Sequence, residues 1–459
     1  MTLSPKLRSR LVNPVNLPIL SFAGLILIGT VLLVLPSAAN GPRLALVDAL
    51  FTATSATCVT GLIVVDTGSR LSSFGQGVVL VLIQFGGLGI MTFSTVLIMI
   101  VTGRFSLMQR SVIQDSFTHG PDTRLPSLVR HVVSFTLLVE VCGAALLFLR
   151  FSGLYPPGRA LYFSVFHAVS AFCNAGFCLY ARSLMDFSGD PLVSLTVAAL
   201  IILGGLGFLV LLELRRLLFG REQTLRLRRL SVHSKLVLSL TIFLLAGGSV
   251  GFLVSEWNHS MSGLSAPAKF MAAFFQSVTA RTAGFNTLDF GQMANVTLLF
   301  TILLMFIGAA SGSTAGGIKV TTMGVLFALS RSRFRGEEGT SIFHRSLAPA
   351  TVGRAISIFV LAVVVIYGAT MALTVSELGT TIHQESRGLF FELLFEVVSA
   401  FGTVGLSVGI TPQLSSVGKL ILSLVMFSGR LGPLSIAVAL SRKEPRSRFQ
   451  YAEENVMIG

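Results

Sequence analysis

The sequence predicts an all-α, polytopic membrane protein of four parallel repeats, each a helix, a re-entrant segment and a second helix. That amounts to eight transmembrane helices plus four re-entrant segments with pseudo-fourfold symmetry. Three observations lead there. Of 459 residues, 53% are hydrophobic and only 12% charged, and the mean hydropathy is +0.81, which sets the chain apart from soluble domains. Apolar runs near the roughly 20 residues needed to cross a bilayer recur along its length. Finally, four stretches align without gaps: FTATSATCVTG, FHAVSAFCNAG, FFQSVTARTAG and FEVVSAFGTVG, from Phe51 to Gly61, Phe166 to Gly176, Phe274 to Gly284 and Phe395 to Gly405.

Each stretch lies between two apolar runs: 17–36, 127–150, 236–255 and 355–375 before, and 77–101, 191–214, 294–330 and 417–440 after. Two spans per unit return the chain to its starting side, so the four units share one orientation about an axis along the membrane normal. The first run could pass for a secretory signal, since Lys6, Arg8 and Arg10 precede it. At Leu17 to Pro36 it exceeds the usual apolar region of about 7 to 15 residues and reads as a transmembrane helix. Most Lys and Arg gather at 1–14, 103–125, 215–235, 331–354 and 441–459, between pairs of spans. The net charge of +14 therefore reads as positive-inside topology rather than nucleic-acid binding, with both termini cytoplasmic. The four cysteines have no CxxC pair and read as free thiols.

The resulting organisation is a cytoplasmic N-terminus (1–14), repeat 1 (15–102), a cytoplasmic loop (103–125), repeat 2 (126–214) and a basic cytoplasmic loop (215–234). Repeat 3 (235–330), with an intramembrane loop at 308–322, is followed by a cytoplasmic loop (331–349), repeat 4 (350–440) and a cytoplasmic tail (441–459).

The stretches from Phe to Gly are too short to span. Non-helical backbone at membrane depth survives only where protein buries it or it lines water, so four such segments should converge on a shared axis. Each reads as about two helical turns followed by an extended strand that ends near the glycine. The helix C-termini then aim partial negative charge at the axis and favour a cation. Glycine reaches the left-handed backbone region cheaply and lets carbonyls turn inward to replace an ion's water. The selectivity filter expected from this comprises Cys58, Val59, Thr60 and Gly61; Cys173, Asn174, Ala175 and Gly176; Arg281, Thr282, Ala283 and Gly284; and Gly402, Thr403, Val404 and Gly405. Arg281 should run behind the filter, because a charge pointing into it would block cations.

These residues bring the chain to a resemblance. Together with DALFTATSATCVTGLIVVDTG, LIQFGGLGIMTFS, AFCNAGF, TARTAGFNT, ASGSTAGGIKVTT and GRLGP, the chain resembles the membrane subunits of Ktr-type bacterial potassium transporters, in the superfamily of Trk, Ktr and HKT proteins. The first pore unit begins close to the N-terminus, which favours the Ktr branch. The resemblance implies potassium as the transported ion, one filter glycine per repeat, a homodimer in the bacterial inner membrane, and a cytosolic nucleotide-binding ring as regulatory partner. Sodium as an activator stays open, since the superfamily varies in sodium dependence. No covalently bound cofactor is implied.

The run 294–330 would measure near 55 Å as one helix at about 1.5 Å per residue, against a hydrocarbon core of about 30 Å. Its excess is GAASGSTAGGIKVTT, Gly308 to Thr322, whose glycines break the helix and whose hydroxyls can satisfy freed backbone. Gly308 follows Gly284 by 24 residues and Arg430 follows Gly405 by 25, so loop and arginine should share one depth below the filter. An arginine at that depth is a functional candidate. The expected gate comprises Gly308, Ser311, Gly312, Ser313, Thr314, Gly316, Gly317, Lys319 and Arg430, with Arg430 as barrier or as anchor of the loop backbone. Lys319 either snorkels to the cytoplasmic interface or holds the loop closed. The glycines of GGLG at 86–89 and 204–207 read by default as close helix packing, with a wide inner cavity as the alternative.

An enzyme would need a cluster of acid, base or metal-ligand residues, and the seven histidines are scattered. An alternating-access secondary transporter is the stronger alternative, since broken helices also build midplane sites in such proteins.

Overall fold

The computed structural model describes residues 16–88, 125–219, 230–382 and 384–432. The N-terminus, most of the 103–125 loop, half of the basic 215–234 loop, the tail and the ends of the first and fourth second helices lie outside the described residues.

The described residues are mostly helical. Its helices are α1 (Asn16–Val34), α2 (Leu46–Thr57), α3 (Ser73–Gly87), α4 (Leu125–Phe151), α5 (Pro157–Phe172), α6 (Pro191–Leu206) and α7 (Phe208–Phe219). There follow α8 (Val232–Glu256), α9 (Ala266–Thr279), α10 (Asn295–Phe306), α11 (Val320–Phe334), α12 (Pro349–Leu378), α13 (Leu389–Gly402) and α14 (Ser416–Leu431). A two-stranded hairpin, β1 (Ser341–Ile342) with β2 (Arg345–Ser346), lies between α11 and α12.

Among the described residues three helices are long and apolar enough to cross a membrane, Arg130–Phe151, Val232–Glu256 and Pro349–Leu378. Their outer faces are apolar and exposed: Leu137, Leu138 and Val141 on α4, Ile242, Phe243 and Val250 on α8, and Val360, Val364, Tyr367 and Met371 on α12. An apolar surface that extensive needs lipid against it. The protein is a membrane protein.

The short helices α2, α5, α9 and α13 form the interior. They hold 12, 16, 14 and 14 residues, so each runs to three or four turns rather than the expected two. The additional turns precede the aligned phenylalanines, and in α5 and α9 a proline sits in the first turn, where its missing N–H costs nothing. Large aromatic side chains, among them Phe51, Phe166, Phe275 and Phe395, are fully buried around them.

The run 191–214 is not one helix. α6 and α7 meet at Gly207 with a bend of 102°, and Gly207 takes φ +83, a left-handed conformation that glycine adopts without a Cβ penalty. The backbone groups freed there are bonded by the chain entering from 307–319. Phe208 N donates to Gly312 O (3.2 Å), Ala310 N to Gly205 O (3.0 Å) and Thr314 N to Gly204 O (3.2 Å). The run 294–330 does break. α10 stops at Phe306, and α11 resumes at Val320, two residues before the expected end of the loop.

Polar contacts join successive parts of the chain. Tyr162 Oη donates to Gln76 Oε1 (2.8 Å), and Leu184 N donates to Asn286 O (3.0 Å). Lys419 on α14 pairs with Asp48 on α2 at 2.8 Å, so the last unit meets the first and the circle closes.

Candidate functional site

Four short segments follow α2, α5, α9 and α13, and the structure brings their glycines together. A methyl group on Gly61 would lie 2.4 Å from the carbonyl oxygen of Ala175, on Gly176 2.7 Å from Ala283 O, on Gly284 2.6 Å from Val404 O, and on Gly405 2.0 Å from Thr60 O. The contacts run 61, 176, 284, 405 and back to 61. They form a closed ring in which the carbonyl preceding each glycine sits against the glycine of a neighbouring segment.

The backbone of the ring repeats as well. Gly61, Gly176, Gly284 and Gly405 take φ of +93, +69, +79 and +90, and two residues earlier Val59, Asn174, Thr282 and Thr403 take +57, +59, +76 and +50. For the β-branched Val59, Thr282 and Thr403 a left-handed conformation costs of order 1–3 kcal/mol and persists only where the surroundings enforce it. All eleven non-glycine positions are buried, ten of them without charge, and Arg281 itself is only 7% exposed.

Two layers of side chains behind the ring enforce it. Ser55 Oγ donates to Leu62 O (2.7 Å) and accepts from Gly61 N (3.1 Å); Ser170 Oγ donates to Phe177 O (2.8 Å), Thr279 Oγ1 to Phe285 O, and Ser399 Oγ accepts from Gly405 N (3.1 Å). Three residues before each of these hydroxyls stand Thr52, His167, Gln276 and Glu396. His167 accepts from Leu179 N (3.3 Å), Gln276 reaches the Thr287 hydroxyl (3.5 Å), and Glu396 accepts from the hydroxyls of Ser407 and Thr411. His167 is thus held by local hydrogen bonds, its other ring nitrogen lying 2.7 Å from Phe163 O.

This geometry corrects the gap-free alignment of the third stretch. Phe275, not Phe274, takes the fully buried place of Phe51, Phe166 and Phe395, and Thr279 that of the serines. Ala283 N bonds to the carbonyl four residues back, whereas Thr60, Ala175 and Val404 bond five back. The third segment is one residue shorter between hydroxyl strut and glycine.

Of the residues expected behind the ring, Arg281 sits in a crevice lined by Ile201, Ile202, Gly205, Thr241, Leu245 and Ala309. Its Nη2 donates to Thr241 Oγ1 at 3.4 Å.

Beneath the ring lies the 307–319 segment. Its ends are tied by Gly308 N to Ile318 O (2.8 Å) and Val320 N to Ala309 O (3.0 Å). Gly316 packs on the Thr403 side chain and Gly317 on Gly402, which puts the segment directly against the fourth ring strand. Ser313 Oγ donates to Ala310 O (2.6 Å), Thr314 Oγ1 to Phe172 O (3.3 Å), and Ser311 shares a hydrogen bond with Thr321 (3.0 Å). Lys319 folds back on the same segment, its Nζ donating to Ala315 O (2.7 Å) and Gly316 O (3.4 Å). Arg430 is buried, with Nη1 donating to Thr314 O and Nη2 to Gly86 O. It therefore ties α14 to the loop and to α3, in the geometry of an anchor.

Gly86 and Gly204 do serve close packing, since a methyl group on either would lie 2.1 or 2.0 Å from the carbonyls of Thr57 and Phe172, at the ends of α2 and α5. Gly429 does the same for Phe401.

Sequence reasoning missed the serine and threonine struts, although three of the four are readable as Ser followed six residues later by the ring glycine. It also missed Glu140, a buried carboxyl on α4 that accepts from Gln84 Nε2 (3.4 Å) and the Cys173 thiol (3.8 Å). All four cysteines are free thiols, and among the described residues no group of three or more His, Cys, Asp or Glu comes together.

Residues 14–451 match the TrkH family model, described as cation transport protein. The chain is 40% identical over 436 residues to the Ktr system potassium uptake protein B of Bacillus subtilis (strain 168), covering 95% of this chain and 94% of that protein. It is 37% identical to the potassium/sodium uptake protein NtpJ of Enterococcus hirae, over the full length of both. The crystal structure of the potassium transporter TrkH from Vibrio parahaemolyticus superposes with a TM-score of 0.74 at 18% identity, covering 96% of this chain and 87% of that one, a likeness of fold.

Proposed function

Because the chain belongs to the TrkH family of cation transport proteins, we propose that it takes up potassium through a pore whose selectivity filter is the four-glycine ring. The observation that carries this reading is the closed ring itself, with carbonyls of Thr60, Ala175, Ala283 and Val404 packed against neighbouring glycines and left-handed backbone at eight positions. Carbonyl rings replace the hydration shell of a cation. The ends of α2, α5, α9 and α13, which lie at or next to the start of the ring segments, add the partial negative charge of helix C-termini. Cys58 to Gly61, Cys173 to Gly176, Arg281 to Gly284 and Gly402 to Gly405 are the ion-binding segments under this reading.

The same reading takes the four units as pseudo-fourfold repeats with eight spans, and places both termini in the cytoplasm of a bacterial inner membrane. The 308–322 loop is the gate and Arg430 its latch. Conduction needs the loop to leave its present bonds with Gly204, Gly205 and Gly429. Two such chains form a homodimer, and a cytosolic nucleotide-binding ring, a second component of a Ktr-like system, acts on the gate. Sodium activation fits the name of the Enterococcus relative.

Tracer uptake into liposomes holding the purified protein tests the proposal. Potassium and rubidium should enter and compete with each other, with sodium entering at least about tenfold more slowly, a discrimination of about 1.4 kcal/mol. Equal entry of all three ions would refute it.

A further inference from the structure

We propose that the unpaired positive charge of Arg281 sets how weakly the filter holds cations, and that it discriminates against divalent ions by acting on them twice as strongly. This rests on the potassium-filter reading above. Arg281 is the one charged residue among the sixteen ring-segment positions. It is 7% exposed, and a guanidinium stays protonated in proteins. Among the described residues its guanidinium makes one hydrogen bond, the 3.4 Å contact with the Thr241 hydroxyl, and its Nε is buried with no partner.

Among the described residues no carboxylate answers that charge. α6, which lines the crevice, carries no acidic residue. On α8 the one acid is Glu256 at the far end, bonded to Ala294 N (3.0 Å) and the Thr297 hydroxyl. Glu213 on α7 is taken by Ser231. The intramembrane loop brings Lys319, also a cation. Glu140 lies behind Cys173 in a different segment, where it is hydrogen-bonded to Gln84 and the thiol.

Arg281 follows the end of α9 by two residues, and its guanidinium bonds to Thr241 rather than to that helix's carbonyls. Its charge opposes the negative end of the α9 dipole, whereas the other three segments carry Cys58, Cys173 and Gly402 at the position three residues before the ring glycine. The filter field is therefore lopsided, weakened on one of four sides. A filter must bind ions loosely enough to release them. At a separation of about 10 Å and an effective dielectric constant of about 20, a unit charge lowers the affinity for a monovalent cation roughly tenfold and for a divalent one roughly a hundredfold.

The test is rubidium uptake into liposomes with barium, a divalent ion of potassium's size, as blocker. Arg281→Gln should raise apparent rubidium affinity roughly tenfold and barium block roughly a hundredfold, the logarithmic shift for barium being twice that for rubidium. Arg281→Lys, which keeps the charge, should behave as wild type. Thr241→Glu, which sets a carboxylate beside the guanidinium and cancels its field while leaving the arginine, should shift both ions in the same direction and the same two-to-one proportion. It decides the matter should Arg281→Gln fail to insert. A structural brace would distort the filter without that proportion, so equal shifts for the two ions, no shift, or a lysine variant resembling glutamine would overturn the proposal. A wild-type protein passing no rubidium would overturn the potassium reading and this proposal with it.

Discussion

Replacing Arg430 by glutamine is expected to raise rubidium flux by about tenfold or more under conditions where the wild-type protein is closed. The guanidinium donates to Thr314 O in the loop and to Gly86 O on α3, and a hydrogen bond from a charged donor to a buried carbonyl contributes about 1.5–3 kcal/mol. Losing both removes more than the 1.4 kcal/mol that shifts a two-state equilibrium about tenfold. The same change withdraws a positive charge from the path below the ring, which adds to the effect. Arg430→Lys should fall between, because an ammonium is a point charge and cannot span two carbonyls as a planar fork does. Tracer efflux from rubidium-loaded liposomes measures this. A flux unchanged or lowered in protein that inserts normally would show that the loop is not latched by the arginine.

Gly405→Ser is expected to reduce the potassium-to-sodium flux ratio by at least about tenfold, again about 1.4 kcal/mol. Gly405 holds φ +90, and a side chain there would meet Thr60 O at 2.0 Å. A left-handed conformation alone costs roughly 1–2 kcal/mol for a residue with a Cβ. The carbonyl clash must be relieved by moving the first ring strand, and with it the geometry that replaces the ion's hydration shell. Gly429→Ala is an instructive contrast. Its methyl would meet Phe401 O at 1.9 Å, outside the ring, so it should disturb assembly of the fourth unit more than selectivity. Flux ratios together with recovery of inserted protein separate the two outcomes.

What could be read from the sequence was whatever depends on spacing. Four glycines at one phase after four phenylalanines, an apolar run too long to be a single helix, and matched intervals from Gly284 to Gly308 and from Gly405 to Arg430 are all intervals along the chain. The structure brings those glycines into one ring and sets Arg430 on the loop backbone. What could not be read depends on contacts between segments. Val59, Thr282 and Thr403 are β-branched and give no local sign of a positive φ; the Ser55 and Ser399 struts, with the packed helices behind them, impose it. Gly207 sits in an apolar run that looks continuous, and it becomes a 102° bend because the 307–319 segment supplies hydrogen bonds to its neighbours. The one-residue shortening of the third segment is hidden by the pair Phe274 and Phe275, either of which satisfies an alignment, whereas only burial tells them apart.

The most direct measurement of the central claim is anomalous diffraction from crystals soaked in rubidium. The account predicts a peak on the axis of the glycine ring, coordinated by carbonyl oxygens of Thr60, Ala175, Ala283 and Val404 or of the residues next to them, and lost in Gly405→Ser. Ordered rubidium elsewhere in the protein, with none at the ring, would contradict it.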